Sequence, residues 1–333
     1  MVDNGEYFII NRARQFGKTT TLKALQRFLA DDYYVISLDF QYLTDEDFTD
    51  STSFVIALAQ EILNAINEIP SEQRKQFEEI ANGKAVRMAT MFRIITKWCI
   101  SVSKPLILMI DEVDSASDKQ VFLDFLGLLR ACYINRNINP TFQSVILVGV
   151  HDIRNLKRNI RPESGRKHNI PWNIASNFDI DMSFSVFDIA GMIKEYETDN
   201  HTGMNIEEIS QFIYDYTSGY PVLVTKICKY IDEYIQLWTK RGVIKAVVMI
   251  LLETNPLFEH LINIIDNYPD IKDYIRKILI KNEIILYNSD NKSIKNLIQY
   301  GFVKIQNNEI VMSNRIFETY FYNLAITNVR DIQ

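Results

Sequence analysis

The residues best suited to chemistry lie near the start of the chain. A short apolar run, Tyr7-Phe8-Ile9-Ile10, leads into Asn11-Arg12-Ala13-Arg14-Gln15-Phe16-Gly17-Lys18-Thr19-Thr20. A strand, a tight loop and a helix that begins at the lysine would bring backbone N–H groups and a helix N-terminus together on phosphate oxygens. The candidate nucleotide contacts are therefore Arg14, Gln15, Phe16, Gly17, Lys18, Thr19 and Thr20. Lys18 would reach the β- and γ-phosphates, and the Thr19 hydroxyl would ligate Mg²⁺. The usual spacing, G-x-x-x-x-G-K-[ST], puts glycine at position 12, where this chain has Arg12. A glycine-lysine-threonine behind apolar residues also arises by chance, so the motif needs a second signal.

Leu106-Ile107-Leu108-Met109-Ile110 followed by Asp111-Glu112 supplies it. Five apolar residues in a row read as a strand buried on both faces. Two carboxylates where such a strand ends are hard to explain as packing, because buried acids need a cation or donors. Asp111 is the candidate metal residue, and Glu112 is the candidate general base that takes a proton from an attacking water, with Lys18 as its catalytic companion. The plain structural alternative is a solvated acidic turn, with Ser117 or Asp118 capping a helix that begins near Lys119.

Composition narrows the classes. The chain has 333 residues, is 47% hydrophobic and 23% charged, and carries 36 Lys and Arg against 42 Asp and Glu for a net charge of −6. These are the proportions of an ordinary globular protein. A sequence pI near 5.4 argues against a surface given over to nucleic acid. Cys99, Cys132 and Cys228 have no metal-ligand spacing and read as small core hydrophobes in a reducing compartment. The longest apolar runs, such as Ala246 to Leu252, fall short of the roughly 20 residues of a spanning helix. A cytoplasmic protein with no membrane partner is the default.

The elements that must position these residues follow from periodicity. Leu22, Leu25, Phe28 and Leu29 predict a helix from Lys18 to Leu29. Tyr34 to Phe40 reads as a strand ending in Asp39, a turn acid or a residue near the site. Helices follow over 53–69, 71–80 and 84–102, so a strand and several helices separate the loop from the acidic strand. A helix over 119–135 and a buried strand over 144–150 come next. That strand ends in His151 and Asp152, candidates to sense a γ-phosphate or to cap a turn. Arg154, Lys157, Arg158, Arg161, Arg166 and Lys167 crowd the following loop, which could supply an arginine finger from Arg154, Arg158 or Arg161, grip a phosphate backbone, or lie solvated. Phe178 to Phe184 reads as the last sheet strand. Helices over 186–236 then break at 200–204 and at Ser218-Gly219-Tyr220-Pro221, where Gly219 can end one helix and Pro221 open the next. Three helices over 244–253, 256–265 and 271–280, a short one at 293–300, a hairpin of 302–305 with 309–312 and a final helix over 314–324 suggest a winged helix with few cations for DNA. The expected division is 1–184, a P-loop core, 185–240, a helical lid, and 241–333, a winged-helix-like domain.

With the Arg14-Gln15-Phe16-Gly17-Lys18-Thr19 loop, Ile110-Asp111-Glu112-Val113-Asp114, Pro171-Trp172-Asn173-Ile174-Ala175 and Ser218-Gly219-Tyr220-Pro221 on the page, the chain resembles the bacterial AAA-like ATP-binding proteins. These are similar to the archaeal-type ATPases of the STAND and AAA+ group. The resemblance implies an α/β fold of the P-loop NTPase class that uses a catalytic glutamate, with a parallel sheet of order 5-1-4-3-2, a helical lid and a winged helix. It implies ATP and Mg²⁺ as cofactors, phosphate binding on Gly17, Lys18 and Thr19, Mg²⁺ on Thr19 and Asp111, and hydrolysis by Glu112. It also brings Gly219 and Pro221 near the adenine or β-phosphate. Members carry a leader before the first strand that is nearly absent in this chain, so either the start is truncated or adenine contacts come from elsewhere.

Three functions are compatible with these residues. One is a Mg²⁺-dependent ATPase or ATP-driven switch. A second is a nucleotide-sensing scaffold with negligible turnover that binds a protein partner or itself. The third is a DNA-associated ATPase that uses the basic loop and the winged helix.

Overall fold

The computed structural model describes residues 1–150, 172–178 and 180–330, with side chains to residue 325. The chain divides into two compact units, Met1–Asn11 with Lys18–Asp179, and Arg12–Gly17 with Ile180–Gln333.

The first unit is built on strands β1 (Phe8–Asn11), β2 (Tyr34–Asp39), β3 (Leu106–Asp111), β4 (Ser144–Gly149) and β5 (Ser176–Asn177). They pair in parallel in the order β2-β3-β4-β1-β5, which from the other edge is 5-1-4-3-2. Every residue of β3 and β4 is buried, as a strand covered by helices on both faces requires. The helices are α1 (Lys18–Leu29), α2 (Ser51–Ala65), α3 (Ser71–Ala81), α4 (Met88–Ser101) and α5 (Gln120–Ile134). An aromatic cluster fills the space beside β2 and β3. Phe40 lies 5.7 Å from Phe122 and 6.2 Å from Phe54, and Phe54 lies 5.6 Å from Phe125. Trp172 is fully buried and stacks on Tyr7 at 5.8 Å.

One expected element moves. The last sheet strand occupies Ser176–Asn177 and not Phe178 to Phe184. The Phe178 N–H still donates to the Ile9 carbonyl at 3.2 Å. Beyond it, the Asp181 carboxylate accepts both the Ser183 N–H and its hydroxyl, at 2.9 and 2.7 Å. That local turn takes the chain out of the extended path an edge strand needs.

The second unit holds α6 (Val186–Asn200), α7 (Ile206–Thr217), α8 (Pro221–Tyr230), α9 (Lys240–Leu252), α10 (Pro256–Asn267), α11 (Pro269–Leu279), α12 (Lys292–Gln299) and α13 (Arg315–Arg330), with β6 (Val303–Gln306) and β7 (Glu309–Met312) as an antiparallel hairpin. The starts follow capping chemistry. Ser185 and Asp188 form a capping box on α6, and Asn205 caps α7. Thr239 caps α9, which therefore starts at Lys240, four residues before the expected Ile244. The hairpin turns on Asn307 and Asn308, both at positive φ (51° and 63°), the geometry of a tight two-residue turn. Among the described residues no single helix is long and apolar enough to cross a membrane.

Phe122 is completely buried among the other aromatics. Phe122→Ala should therefore destabilise the protein by about 3–5 kcal/mol, read as a lower urea midpoint by near-UV circular dichroism.

Candidate functional site

In the first unit, the acidic strand and the start of α1 meet. The Thr19 hydroxyl donates to Asp111 Oδ2 at 2.7 Å. The other oxygen, Oδ1, accepts the Glu112 N–H at 2.9 Å. Asp111 is only 3% exposed and Lys18 only 6%. A buried carboxylate is tolerated because donors such as these face it. A hydroxyl and a carboxylate oxygen side by side, beside a lysine, are the hard-oxygen donors that fit Mg²⁺ in a phosphate site.

Asp39 lies in register with Asp111 on the neighbouring strand. Its carboxylate accepts the Gln41 N–H at 2.9 Å and caps the turn that follows, so its contact is that of a turn acid. Neither Ser117 nor Asp118 caps α5. The flanking residue is Lys119, without a side-chain cap bond, and the Ser117 hydroxyl donates to the Asp114 carbonyl at 2.7 Å. The capping explanation of the acidic turn is therefore not what the chain uses.

Glu112 is half-buried and sits at φ 51°, ψ 39°, a left-handed conformation that side chains rarely adopt. Asp114, two residues on, carries a contact that the sequence pattern does not reveal. Its Oδ2 accepts the Val150 N–H just past β4. A Cβ on Gly149 would lie 2.9 Å from the same oxygen, so a side chain there would push the Asp114 carboxylate aside. His151, Asp152, Arg154, Arg158 and Arg161 lie outside the described residues.

The loop Arg12–Gly17 groups with the second unit. Gln15 and Gly17 both have positive φ, 57° and 79°. Arg14 and Gln15 are exposed, while Phe16 and Gly17 are half-buried; Thr20, in α1 of the first unit, is exposed. Arg12, where glycine is usual, donates from Nη2 to the Ile180 carbonyl at 2.6 Å. The Tyr220 hydroxyl donates to the Arg14 carbonyl at 2.7 Å, and the Phe16 ring stands edge-on to the Tyr220 ring at 4.8 Å. Burial pushes the Tyr220 phenol pKa well up, so it stays a donor.

Gly219 and Pro221 have structural duties in the same turn. Gly219 has φ 74°, and a Cβ on it would come within 2.0 Å of the Phe184 carbonyl oxygen. Pro221 opens α8 at its first position. Among the contacts described for this turn, Tyr220, which sequence reading passed over, is the residue that reaches the Arg12–Gly17 loop. Its one available signal was a phenol in a tight apolar turn, a group that needs a hydrogen-bond partner when buried.

These features match a family. The model of the AAA-like domain fits residues 1–323. The chain belongs to the AAA-like domain family. Its AAA-like fold is shared with a Walker-type ATPase of Pyrococcus abyssi, which is 14% identical with a TM-score of 0.61 over 94% of this chain and 90% of that one. Weaker similarity extends to the ORC2 protein of Aeropyrum pernix, at 11% identity and a TM-score of 0.44 over 97% of this chain and 89% of that one. Drosophila ORC bound to DNA gives 9% identity and a TM-score of 0.44 over 96% and 90%. A comparison with curated proteins finds no match.

The left-handed backbone at Glu112 of this AAA-like chain can be tested without any ligand. A glycine adopts that conformation freely, whereas any other residue costs about 1–2 kcal/mol there. Glu112→Gly should therefore melt several degrees above Glu112→Ala in differential scanning calorimetry; equal melting temperatures would remove the strain.

Proposed function

We propose that the protein binds ATP with Mg²⁺ and hydrolyses it, and that the cycle acts as a conformational switch. The observation that carries this reading is the 2.7 Å bond between the Thr19 hydroxyl and Asp111. It joins the end of the phosphate loop motif to the acid of the second motif across 92 residues of sequence. Mg²⁺, when bound, would neutralise charge on the β- and γ-phosphates, held by Thr19 and Asp111.

Within this reading Gly17, Lys18 and the amides from Arg14 to Thr20 bind and orient the phosphates. Lys18 brings a cation already drawn out of water, where its attraction for a phosphate is stronger than in solvent. Glu112 takes the proton from the attacking water. Asp114 fixes the end of β4 against the turn that carries Glu112, keeping the base in place. Gly219 and Pro221 shape the turn that approaches the nucleotide. His151, Asp152, Arg154, Arg158 and Arg161 are carried as candidates for sensing or for a finger.

Residues 241–333 are read as a winged-helix-like domain that meets a protein partner or a second copy of the chain. Support comes from its exposed apolar side chains, with Ile284 75% and Leu286 66% exposed. Its short helix α12 carries only Lys292 and Lys295 as cations, which gives a DNA-reading role less support.

The test is steady-state ATP hydrolysis together with MgATP binding on the full chain. Lys18→Ala should lose at least about tenfold in affinity, the scale of one charge-assisted contact to phosphate. Glu112→Gln should keep its affinity and lose roughly 10²–10⁴-fold in turnover, the contribution of a general base. An unchanged ATP affinity in Lys18→Ala would overturn nucleotide binding at this loop. Tight binding with no turnover in the wild type would replace the ATPase with the scaffold. Chelating Mg²⁺ should abolish whatever turnover the wild type shows.

A further inference from the structure

We propose that Tyr220 is a positioning residue for the phosphate loop, holding the Arg14–Gln15 peptide so that the Gln15 N–H faces the bound phosphate. This rests on the nucleotide reading above and names a side chain that would hold the loop in its binding conformation.

The peptide unit is planar and trans, so its carbonyl and its N–H point in opposite directions. With the Arg14 carbonyl held by the Tyr220 hydroxyl at 2.7 Å, the Gln15 N–H is turned away from Tyr220. Gln15 itself occupies φ 57° without being glycine, and a residue in that region persists only where its surroundings hold it. Left- and right-handed residues alternating along a loop turn successive N–H groups to one side, which makes an anion-binding concavity.

The contacts described for the loop lie within the second unit, to which the loop itself belongs. The Phe16 ring lies edge-on to Tyr220, and Tyr220 in turn packs against Phe317 of α13 at 5.3 Å. A Cβ added to Gly301 would sit 2.7 Å from the Ala13 Cβ and 3.7 Å from the Tyr220 ring. Arg12 anchors the base of the loop on the Ile180 carbonyl. The ordinary motif lets glycine at the first position bend the loop; this chain has Arg12 there and fixes the loop from outside. Tyr220 is 3% exposed, so water does not compete for the bond.

The experiment measures MgATP affinity by isothermal titration calorimetry, and thermal stability, for wild type, Tyr220→Phe, Gln15→Gly, the double variant and Lys18→Ala. Tyr220→Phe keeps the ring and removes only the hydroxyl. It should bind MgATP about tenfold more weakly, the loss of one well-made hydrogen bond, with the melting temperature within a few degrees of wild type. Gln15→Gly should rescue it, because glycine takes the left-handed conformation without an anchor. In that background Tyr220→Phe should change affinity less than about threefold, a coupling that a purely structural tyrosine would not show.

If Lys18→Ala abolishes binding while Tyr220→Phe matches wild type, the positioning role falls and the nucleotide site stands. An equal loss of affinity with and without Gln15→Gly would likewise overturn the role. If wild type shows no Lys18-dependent binding, the nucleotide reading and this inference fall together.

Discussion

The meeting of Thr19 with Asp111 depends on two strands ending at the same edge of the sheet. β1 and β3 both pair in parallel with β4, one on each side. In a parallel sheet the carboxyl ends share an edge, so the residues leaving β1 and β3 arrive together, separated only by the width of β4. The end of β4 must then be thin. Gly149 lies level with Asn11 at the end of β1, and Asp114 occupies the space where a side chain at 149 would sit. The carboxylate of Asp114 seals the top of β4 by taking the Val150 N–H. Sheet order, a glycine and two acids are thus parts of one geometric solution.

Backbone strain marks the same region. Most of the non-glycine residues at positive φ have an ordinary explanation. His201, Ser218 and Gln236 end helices, and Asn307 and Asn308 make the hairpin turn. Gln15 and Glu112 do neither, because Gln15 precedes α1 and Glu112 follows β3. Each costs about 1–2 kcal/mol relative to a glycine, and each lies in one of the two segments that the sequence singles out for nucleotide chemistry. Strain concentrated at such positions is kept where geometry is worth more than local stability.

What the sequence made legible was what recurs locally. Unbroken apolar runs gave β3 and β4, helical spacing gave α1 with its observed bounds, and the neighbouring pairs Lys18-Thr19 and Asp111-Glu112 pointed to two segments that meet where Thr19 bonds Asp111. What stayed hidden was set by contacts between distant residues. The Tyr220 hydroxyl reaches an acceptor 206 residues away, and the Asp114 carboxylate one 36 residues away. Arg12 reads as a lost glycine until its guanidinium is found on the Ile180 carbonyl. The edge strand was misplaced for a related reason. Phe178 to Phe184 has strand-like composition, but the bonds of Asp181 to Ser183 act within two residues and override it.

The turn from Ser218 to Pro221 joins these threads, because consecutive residues in it serve different neighbours. The Ser218 Oγ is 3.0 Å from Lys304 Nζ on β6, whose ammonium is held below its usual pKa range by burial. Gly219 pairs its carbonyl with the Phe184 N–H at 2.9 Å, so close that no side chain fits. Tyr220 then bonds the Arg14 carbonyl, and Pro221 fixes the start of α8. Two peptide bonds separate the serine from the tyrosine, so the three contacts share one short stretch of backbone. The hairpin and the Arg12–Gly17 loop therefore meet one turn, and the glycine between their two contacts is one whose backbone leaves no room for a side chain.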